Sequence, residues 1–180
     1  MIVFVSGGAR SGKSEVAERL TRECCRARGG ALYYLATATA SDAEMAVRIA
    51  RHRRERGDAW RTWEAPLALG TALDNVEPGA SVLLDCLTLW AARALFEARY
   101  DTAAGLTQLE ALLVAARVRS LDLVVVSNDL NEDVLPQDVE TWRYIAFLQH
   151  LHRALAGQAD RVIEVVAGVA IDWTEGREAT

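Results

Sequence analysis

The sequence predicts an α/β fold in which a mostly parallel β-sheet is flanked by helices on both faces. Short apolar runs, typical of buried strands, alternate along the chain with segments whose apolar residues recur at helical spacing. This alternation favours parallel pairing, because parallel strands need a crossover connection that is usually a helix. The chain has 180 residues, 51% hydrophobic and 25% charged, so we expect residues 1–180 to form one globular domain.

Six segments are predicted to be strands because they are short, largely apolar and bounded by turn residues. They cover residues 2–5, 32–36, 60–64, 81–85, 121–127 and 161–167. The runs at 81–85 and 121–127 are almost purely apolar, which is expected of central strands covered on both faces. The segment 161–167 is predicted to be the last strand, and the polar tail at 172–180 is expected to fray.

The predicted helices lie between these strands. They cover residues 13–28, 41–56, a short segment from Pro66 to about Leu73, 88–99, 104–119 and 139–156. The Gly-Gly pair at 29–30 ends the first helix, and Ser41 with Glu44 forms a capping box at the start of the second. We find no internal repeat or interdomain linker in the chain.

Composition excludes several classes of function. The net charge of −5 argues against general binding of nucleic acid, which normally needs a basic surface. Three cysteines, two of them adjacent, form neither a disulfide framework nor a set with metal-ligand spacing. The longest apolar run, 81–92, is interrupted by Asp85 and too short to span a membrane. No signal peptide is recognised, so we expect a cytoplasmic protein.

The segment 7–14, Gly-Gly-Ala-Arg-Ser-Gly-Lys-Ser, fits the phosphate-binding pattern G-x4-G-K-[ST] in full. It follows a predicted strand and opens a predicted helix, so its backbone N–H groups and the helix N-terminus can bind phosphate oxygens. Lys13 can reach the β- and γ-phosphates, and the Ser14 hydroxyl can ligate Mg²⁺. Lys13 is also the only lysine among 20 basic residues. The predicted nucleotide-binding residues of this loop are Gly7, Gly8, Ala9, Arg10, Ser11, Gly12, Lys13 and Ser14.

A P-loop needs an acidic partner at the end of a neighbouring strand to hold Mg²⁺ or its water ligands. Asp85 directly follows the apolar run 82–84, and ligands of parallel sheets bind at the carboxyl ends of the strands. We therefore predict that Asp85 takes this role; the alternative is a solvated loop aspartate. Asp129, after the strand at 121–127, is a second candidate of the same kind.

Arginines crowd the predicted helix at 41–56, five of them within residues 48–56, with His52 among them. They form either a clamp for a polyphosphate or a solvated helix face. His52 lies at the margin of the apolar stripe, three residues after Ile49, where it is either a packing side chain or a general base or nucleophile. His150 and His152 are two residues apart, on different helix faces, and receive no role.

Five segments together carry a family resemblance: 7–14, 34–38, 44–53, 60–66 and 83–90. In this order they closely resemble the bifunctional adenosylcobinamide kinase/adenosylcobinamide-phosphate guanylyltransferase family of cobalamin biosynthesis. The most specific part is Arg-Ile-x-x-His-Arg at 48–53, followed by Trp-Arg-Thr and Glu-x-Pro. The resemblance implies a P-loop, RecA-like fold and two reactions. ATP or GTP first phosphorylates adenosylcobinamide, and GMP is then transferred from GTP through a histidine to give adenosyl-GDP-cobinamide.

The same resemblance implies residue roles and partners. His52 matches the guanylylated histidine, so the catalytic residues are His52 and Lys13, and Mg²⁺ is held by Ser14 and Asp85. It also suggests a homo-oligomer, a trimer in the family, that binds GTP or ATP and adenosylcobinamide or its phosphate. The further nucleotide contacts that it implies are Thr37, Ala38, Thr39, Arg53, Arg54, Glu55, Arg56, Glu64 and Asp85.

The resemblance is interrupted at 129–153. After Val-Ser-Asn the family typically continues Glu-Val-Gly-x-Gly-Ile-Val-Pro, whereas residues 129–136 read Asp-Leu-Asn-Glu-Asp-Val-Leu-Pro. Two alternatives to the bifunctional enzyme therefore stay open. One is a P-loop kinase for another small alcohol, which uses Lys13, Ser14 and Asp85 while His52 packs. The other is a GTP-binding regulatory protein that does not turn over cobinamide.

Overall fold

The structure, a computed structural model, describes residues 1–38, 59–65, 67–130 and 138–174. The predicted helix at 41–56 lies outside these ranges, as do Pro66 and most of the loop that leads to the last predicted helix. The arginines of the predicted helix at 41–56 and His52 are therefore known here from the sequence alone.

The described residues form a sheet of seven strands in the order β3-β2-β4-β5-β1-β6-β7. The first six strands in this order are parallel, and β7 pairs with β6 antiparallel. The predicted α/β fold with a mostly parallel sheet is thus confirmed. The strands are β1 (Ile2–Gly7), β2 (Leu32–Ala36), β3 (Trp60–Glu64), β4 (Ser81–Asp85), β5 (Asp122–Asn128), β6 (Arg161–Val166) and β7 (Val169–Asp172).

Four α-helices accompany the sheet in the described part of the chain. They are α1 (Lys13–Arg28), α2 (Leu87–Phe96), α3 (Thr102–Val118) and α4 (Val139–Gln158). The short helix predicted to run to about Leu73 is only a three-residue 3-10 helix, Leu69–Thr71. None of the described helices is long and apolar enough to cross a membrane.

Alternate residues of the central strands belong to two different cores. In β1, Val3 and Val5 pack with α1, while Ile2 and Phe4 pack with the core that contains α2, α3 and α4. Because successive side chains of a strand point to opposite faces, a strand that is apolar at every position needs helices on both sides. This explains the nearly unbroken apolar runs of the inner strands.

The strand predicted at 161–167 is confirmed as β6, but the prediction that it is the last strand is wrong, because β7 follows it. A turn at Ala167 and Gly168, both with positive φ, reverses the chain after β6 and leads into β7. The beginning of the predicted tail is also held in place, because Arg161 donates two hydrogen bonds to Asp172, at 2.9 and 2.7 Å. The exposed side chains of β7 gave no strand periodicity, and pairing with β6 accounts for its conformation.

Candidate nucleotide site

The P-loop connects the carboxyl end of β1 to the first turn of α1. Arg10 and Gly12 adopt positive φ of 59° and 91°, which bends the loop over the helix N-terminus. No side chain caps that end of α1, since Gly12 occupies the capping position. The first backbone N–H groups of the helix are therefore directed at the loop, where an anion can accept hydrogen bonds from them.

Two neighbouring chain segments constrain this loop. A Cβ built on Gly7 would lie 2.5 Å from the carbonyl oxygen of Val165 and 2.7 Å from the Ser11 hydroxyl, so only glycine fits there. Gly168, in the turn before β7, donates a hydrogen bond to the Ser11 carbonyl at 2.8 Å. The buried Ser11 Oγ has no hydrogen-bond partner among the described residues, so a phosphate oxygen could satisfy it.

Lys13 lies across the loop rather than in solvent. Its Nζ donates to the Gly8 carbonyl at 3.0 Å, and the residue is only 8% exposed. Burial lowers the pKa of Lys13, while the nearby Cys86 and Asp85 act in the opposite direction. An ammonium that is already largely desolvated and held in the loop is suited to contact a triphosphate, which can replace the Gly8 carbonyl as its partner.

Asp85 ends β4 at the same edge of the sheet. Its Oδ2 accepts a hydrogen bond of 2.8 Å from the Tyr34 hydroxyl, which orients the carboxylate. One strand, β5, separates β4 from β1, which is the strand order of RecA-like P-loop proteins. Asp85 acts on the pKa of Lys13, so the structure brings together the two charged residues that the sequence singled out.

The other predicted nucleotide contacts differ in their surroundings. Ser14 is exposed on the first turn of α1, Ala38 is half-buried, and Glu64 is exposed at the end of β3, two strands from Asp85. Thr37 is completely buried, and its hydroxyl both donates to the carbonyl and accepts from the N–H of Cys86, at 2.7 and 2.6 Å. This hydroxyl joins the ends of β2 and β4, while its role as a nucleotide contact stays a prediction.

A family model described as cobinamide kinase / cobinamide phosphate guanyltransferase matches residues 3–173. The chain belongs to this family. A bifunctional adenosylcobalamin biosynthesis protein CobP from Pseudomonas aeruginosa is 42% identical over 167 residues, which is 92% of this chain and 93% of the relative. Two proteins named bifunctional adenosylcobalamin biosynthesis protein CobU, from Salmonella typhimurium and Escherichia coli, are 30% and 29% identical, each covering 95% of this chain and 98% of the relative.

Several residues assigned from the family resemblance lie outside the described part of the chain. They are Thr39, His52, Arg53, Arg54, Glu55 and Arg56. The described P-loop and Asp85 are thus only part of the predicted nucleotide site, and the role of His52 stays a prediction from the sequence.

The structure also reveals a residue to which the sequence assigned no role. His152, on α4, is largely buried with its ring 5.3 Å from that of Phe4, and its Nε2 lies 2.7 Å from the Ser127 hydroxyl. Burial lowers the pKa of His152 to about 4, although the charge of Asp129 acts in the opposite direction. The available signal was its place on the buried stripe of α4, four residues after Leu148.

His152 makes the stability of the fold depend on pH. The pKa is about 4 in the folded chain and 6.5 in an ordinary histidine, so between these values only the unfolded chain binds the proton. The contribution of neutral His152 to the free energy of unfolding is complete above pH 6.5. It is lost as the pH falls toward 4, by up to about 3 kcal/mol. We expect the free energy of unfolding in urea to fall more on acidification for the wild type than for His152→Gln. Equal losses in both proteins would contradict the burial of a neutral imidazole.

Proposed function

We propose that this chain is a bifunctional enzyme that phosphorylates adenosylcobinamide with ATP or GTP and then transfers GMP from GTP to the new phosphate. The observation that carries this proposal is the family match over residues 3–173, which contains a P-loop with a buried lysine beside an acidic strand end. The P-loop supports the use of a nucleoside triphosphate. The choice of cobinamide as acceptor is supported by the family alone.

In the first reaction, we propose that the P-loop N–H groups and Lys13 bind the β- and γ-phosphates. The acceptor hydroxyl oxygen bonds to the γ-phosphorus, the bond to the nucleoside diphosphate breaks, and the hydroxyl proton passes to water. Lys13 stabilises the charge that develops between the β- and γ-phosphates. The exposed Ser14 hydroxyl and the Asp85 carboxylate offer oxygen ligands that suit Mg²⁺ shared with phosphate oxygens, and a bound Mg²⁺ would neutralise further charge.

In the second reaction, we propose that a nitrogen of His52 attacks the α-phosphorus of GTP and that pyrophosphate leaves. The cobinamide phosphate then attacks the same phosphorus, and the phosphorus–nitrogen bond breaks to release His52. Neutral imidazole is a competent nucleophile near pH 7. The arginines at 53, 54 and 56 follow His52 closely in the sequence, and we propose that they neutralise the departing pyrophosphate.

We propose further that residues 1–180 function as one nucleotide-binding domain, in a homotrimer in the cytoplasm. The continuous sheet, with elements from the start to near the end of the chain, supports a single domain. The trimer is supported by the family resemblance, and the cytoplasm by three cysteines that form no disulfide framework.

The first experiment is incubation of the purified protein with Mg²⁺ and GTP labelled at the α-phosphate, without cobinamide. We expect about one GMP per chain, held by a phosphoramidate that is labile in acid and stable in alkali. Added adenosylcobinamide phosphate should remove the label as adenosyl-GDP-cobinamide, and added pyrophosphate should return it as GTP. GTP labelled at the γ-phosphate is the matched control and should leave the protein unlabelled.

A second outcome would favour the kinase alternative. The described Lys13 and Asp85 support phosphoryl transfer without any contribution from His52. Protein that transfers phosphate from γ-labelled ATP to adenosylcobinamide but takes no α-label would therefore be a kinase only. Protein that binds GTP and does neither would be the regulatory alternative.

A further inference from the structure

A chain of hydrogen bonds connects α4 to the end of β5. The His152 Nε2 lies 2.7 Å from the Ser127 Oγ, which lies 2.8 Å from the Thr88 Oγ1. Thr88, on α2, accepts a hydrogen bond of 2.7 Å from the backbone N–H of Asn128. Ser127 is completely buried and Thr88 is 5% exposed, so neither hydroxyl can turn to solvent for a partner, and Thr88 is also hydrogen-bonded to the Cys86 side chain.

The hydrogen-bond chain has a fixed direction at its Asn128 end. The Asn128 N–H can only donate, so Thr88 accepts there and can pass its own proton to Ser127. We assign the Ser127 proton to the hydrogen bond with His152, so that the Nε2 of His152 is the unprotonated nitrogen of a neutral imidazole; the opposite tautomer would reverse the two hydroxyl bonds. In this assignment each donor is used once and all bonds run the same way, an arrangement in which each bond strengthens the next.

The far end of this chain lies beside the P-loop. In the parallel pairing of β5 with β1, Ser127 is opposite Ser6 and Asn128 is opposite Gly7. The N–H of Asp129 donates to the carbonyl of Gly7 at 2.9 Å. Gly7 is the first P-loop residue, so any shift of the end of β5 is passed to the start of the loop.

We propose that His152 is a positioning residue for phosphoryl transfer: it holds the end of β5, through Ser127 and Thr88, in register with the first P-loop residue. Removing its hydrogen bond leaves the buried Ser127 hydroxyl without that partner and loosens the pairing of the end of β5 with Gly7. Transfer requires the γ-phosphate in line with the acceptor, so a small displacement of the loop lowers turnover. The inference rests on the proposed function in one respect, because phosphorylation of adenosylcobinamide is the reaction in which the effect of His152 is measured.

The test compares three variants in phosphorylation of adenosylcobinamide. His152→Phe keeps a ring against Phe4 but loses the acceptor, and His152→Gln restores an acceptor at the same reach. His150→Phe is the matched control, because His150 is exposed on the same helix and contacts Arg153. We expect His152→Phe to lower kcat by about 10- to 100-fold with GTP affinity changed less than about twofold. His152→Gln should recover to within about threefold of wild type, and the control should match wild type.

A double-mutant cycle separates positioning from a general loss of packing. Ser127→Ala should lower kcat about as much as His152→Phe. The kcat of the double variant should be little lower still, because both substitutions break the same chain of hydrogen bonds. If the loss in kcat of the double variant equals the product of the two single losses, the proposal is overturned. It is also overturned if the kcat of His152→Phe stays within about twofold of wild type. The same holds if the kcat of His152→Gln is no higher than that of His152→Phe.

Two readouts need no turnover, so failure of this inference can be told from failure of the proposed function. If the wild type leaves adenosylcobinamide unchanged, the proposed function fails, and the positioning role is decided by spectroscopy and amide exchange. Nitrogen-15 spectra should show His152 with an unprotonated Nε2, and the Asn128 amide should exchange faster in His152→Phe than in wild type or His152→Gln. A protonated Nε2, or equal exchange in all three proteins, would overturn the role of His152.

Discussion

His52→Ala is expected to abolish covalent labelling by α-labelled GTP and all guanylyl transfer, while phosphorylation of adenosylcobinamide stays within about twofold of wild type. The reason is chemical. A covalent intermediate needs a nucleophile, and alanine offers none. Phosphorylation instead uses Lys13 of the P-loop and Asp85 at the end of β4. The measurement is the amount of acid-labile label per chain, together with the rates of both partial reactions.

His150→Ala is the matched control for this substitution. His150 is exposed on α4, and its Nδ1 lies 3.2 Å from the Arg153 guanidinium. It should label like wild type. Free imidazole added to His52→Ala tests the chemistry directly, since it should accept GMP from GTP as the imidazolide and release pyrophosphate. Full labelling of His52→Ala would show that another residue is the nucleophile.

Lys13→Met is expected to lower both partial reactions by about 10²- to 10³-fold. The proposed reactions both begin with a bound triphosphate, and the lysine ammonium is a P-loop group that reaches its β- and γ-phosphates. Burial lowers the pKa of Lys13, which means that its charge costs free energy in the folded protein. The melting temperature of Lys13→Met should therefore not fall below that of wild type.

Two further variants make this result specific. Lys13→Arg keeps the charge, but the planar guanidinium is larger than the buried ammonium that the loop holds against the Gly8 carbonyl, so we expect it to be nearly as impaired as Lys13→Met. Arg19→Met removes an exposed cation from α1 and should leave both reactions unchanged. Guanylyl transfer that persists at wild-type rate in Lys13→Met would separate the second reaction from the P-loop.

The strands show how far local pattern carries a prediction. The predicted bounds at 32–36 and 81–85 match β2 and β4, because a buried strand between helices must be apolar at nearly every position. The bounds at 60–64 also match β3, although this edge strand is buried only at Trp60. The helix predicted at 88–99 instead covers Leu87–Phe96, and the N–H of Tyr100 turns back to the carbonyl of Ala94. Helix ends depend on such backbone contacts, which leave little trace in apolar spacing.

The candidate nucleotide site likewise contains residues that the sequence predicts and contacts that only the structure shows. The P-loop, its lysine and Asp85 follow from sequence, since phosphate binding needs particular residues at fixed spacing within one strand–loop–helix unit. The sequence predicts that Thr37 contacts the nucleotide. The structure shows that its hydroxyl also makes hydrogen bonds to Cys86, which join the ends of β2 and β4. A hydroxyl satisfied by a backbone 49 residues away has no local signature.

Local pattern was therefore enough for the α/β fold, the P-loop and the acidic strand end, because each depends on neighbours in the chain. Only the folded chain shows that β7 exists and that His152 meets Ser127, residues 25 positions apart. Spacing places two histidines on different faces of α4, but the packing of α4 against β1 and β5 decides which of them is buried. Contacts between distant segments arise from the shape of the whole core, and that shape cannot be read from any short stretch of the chain.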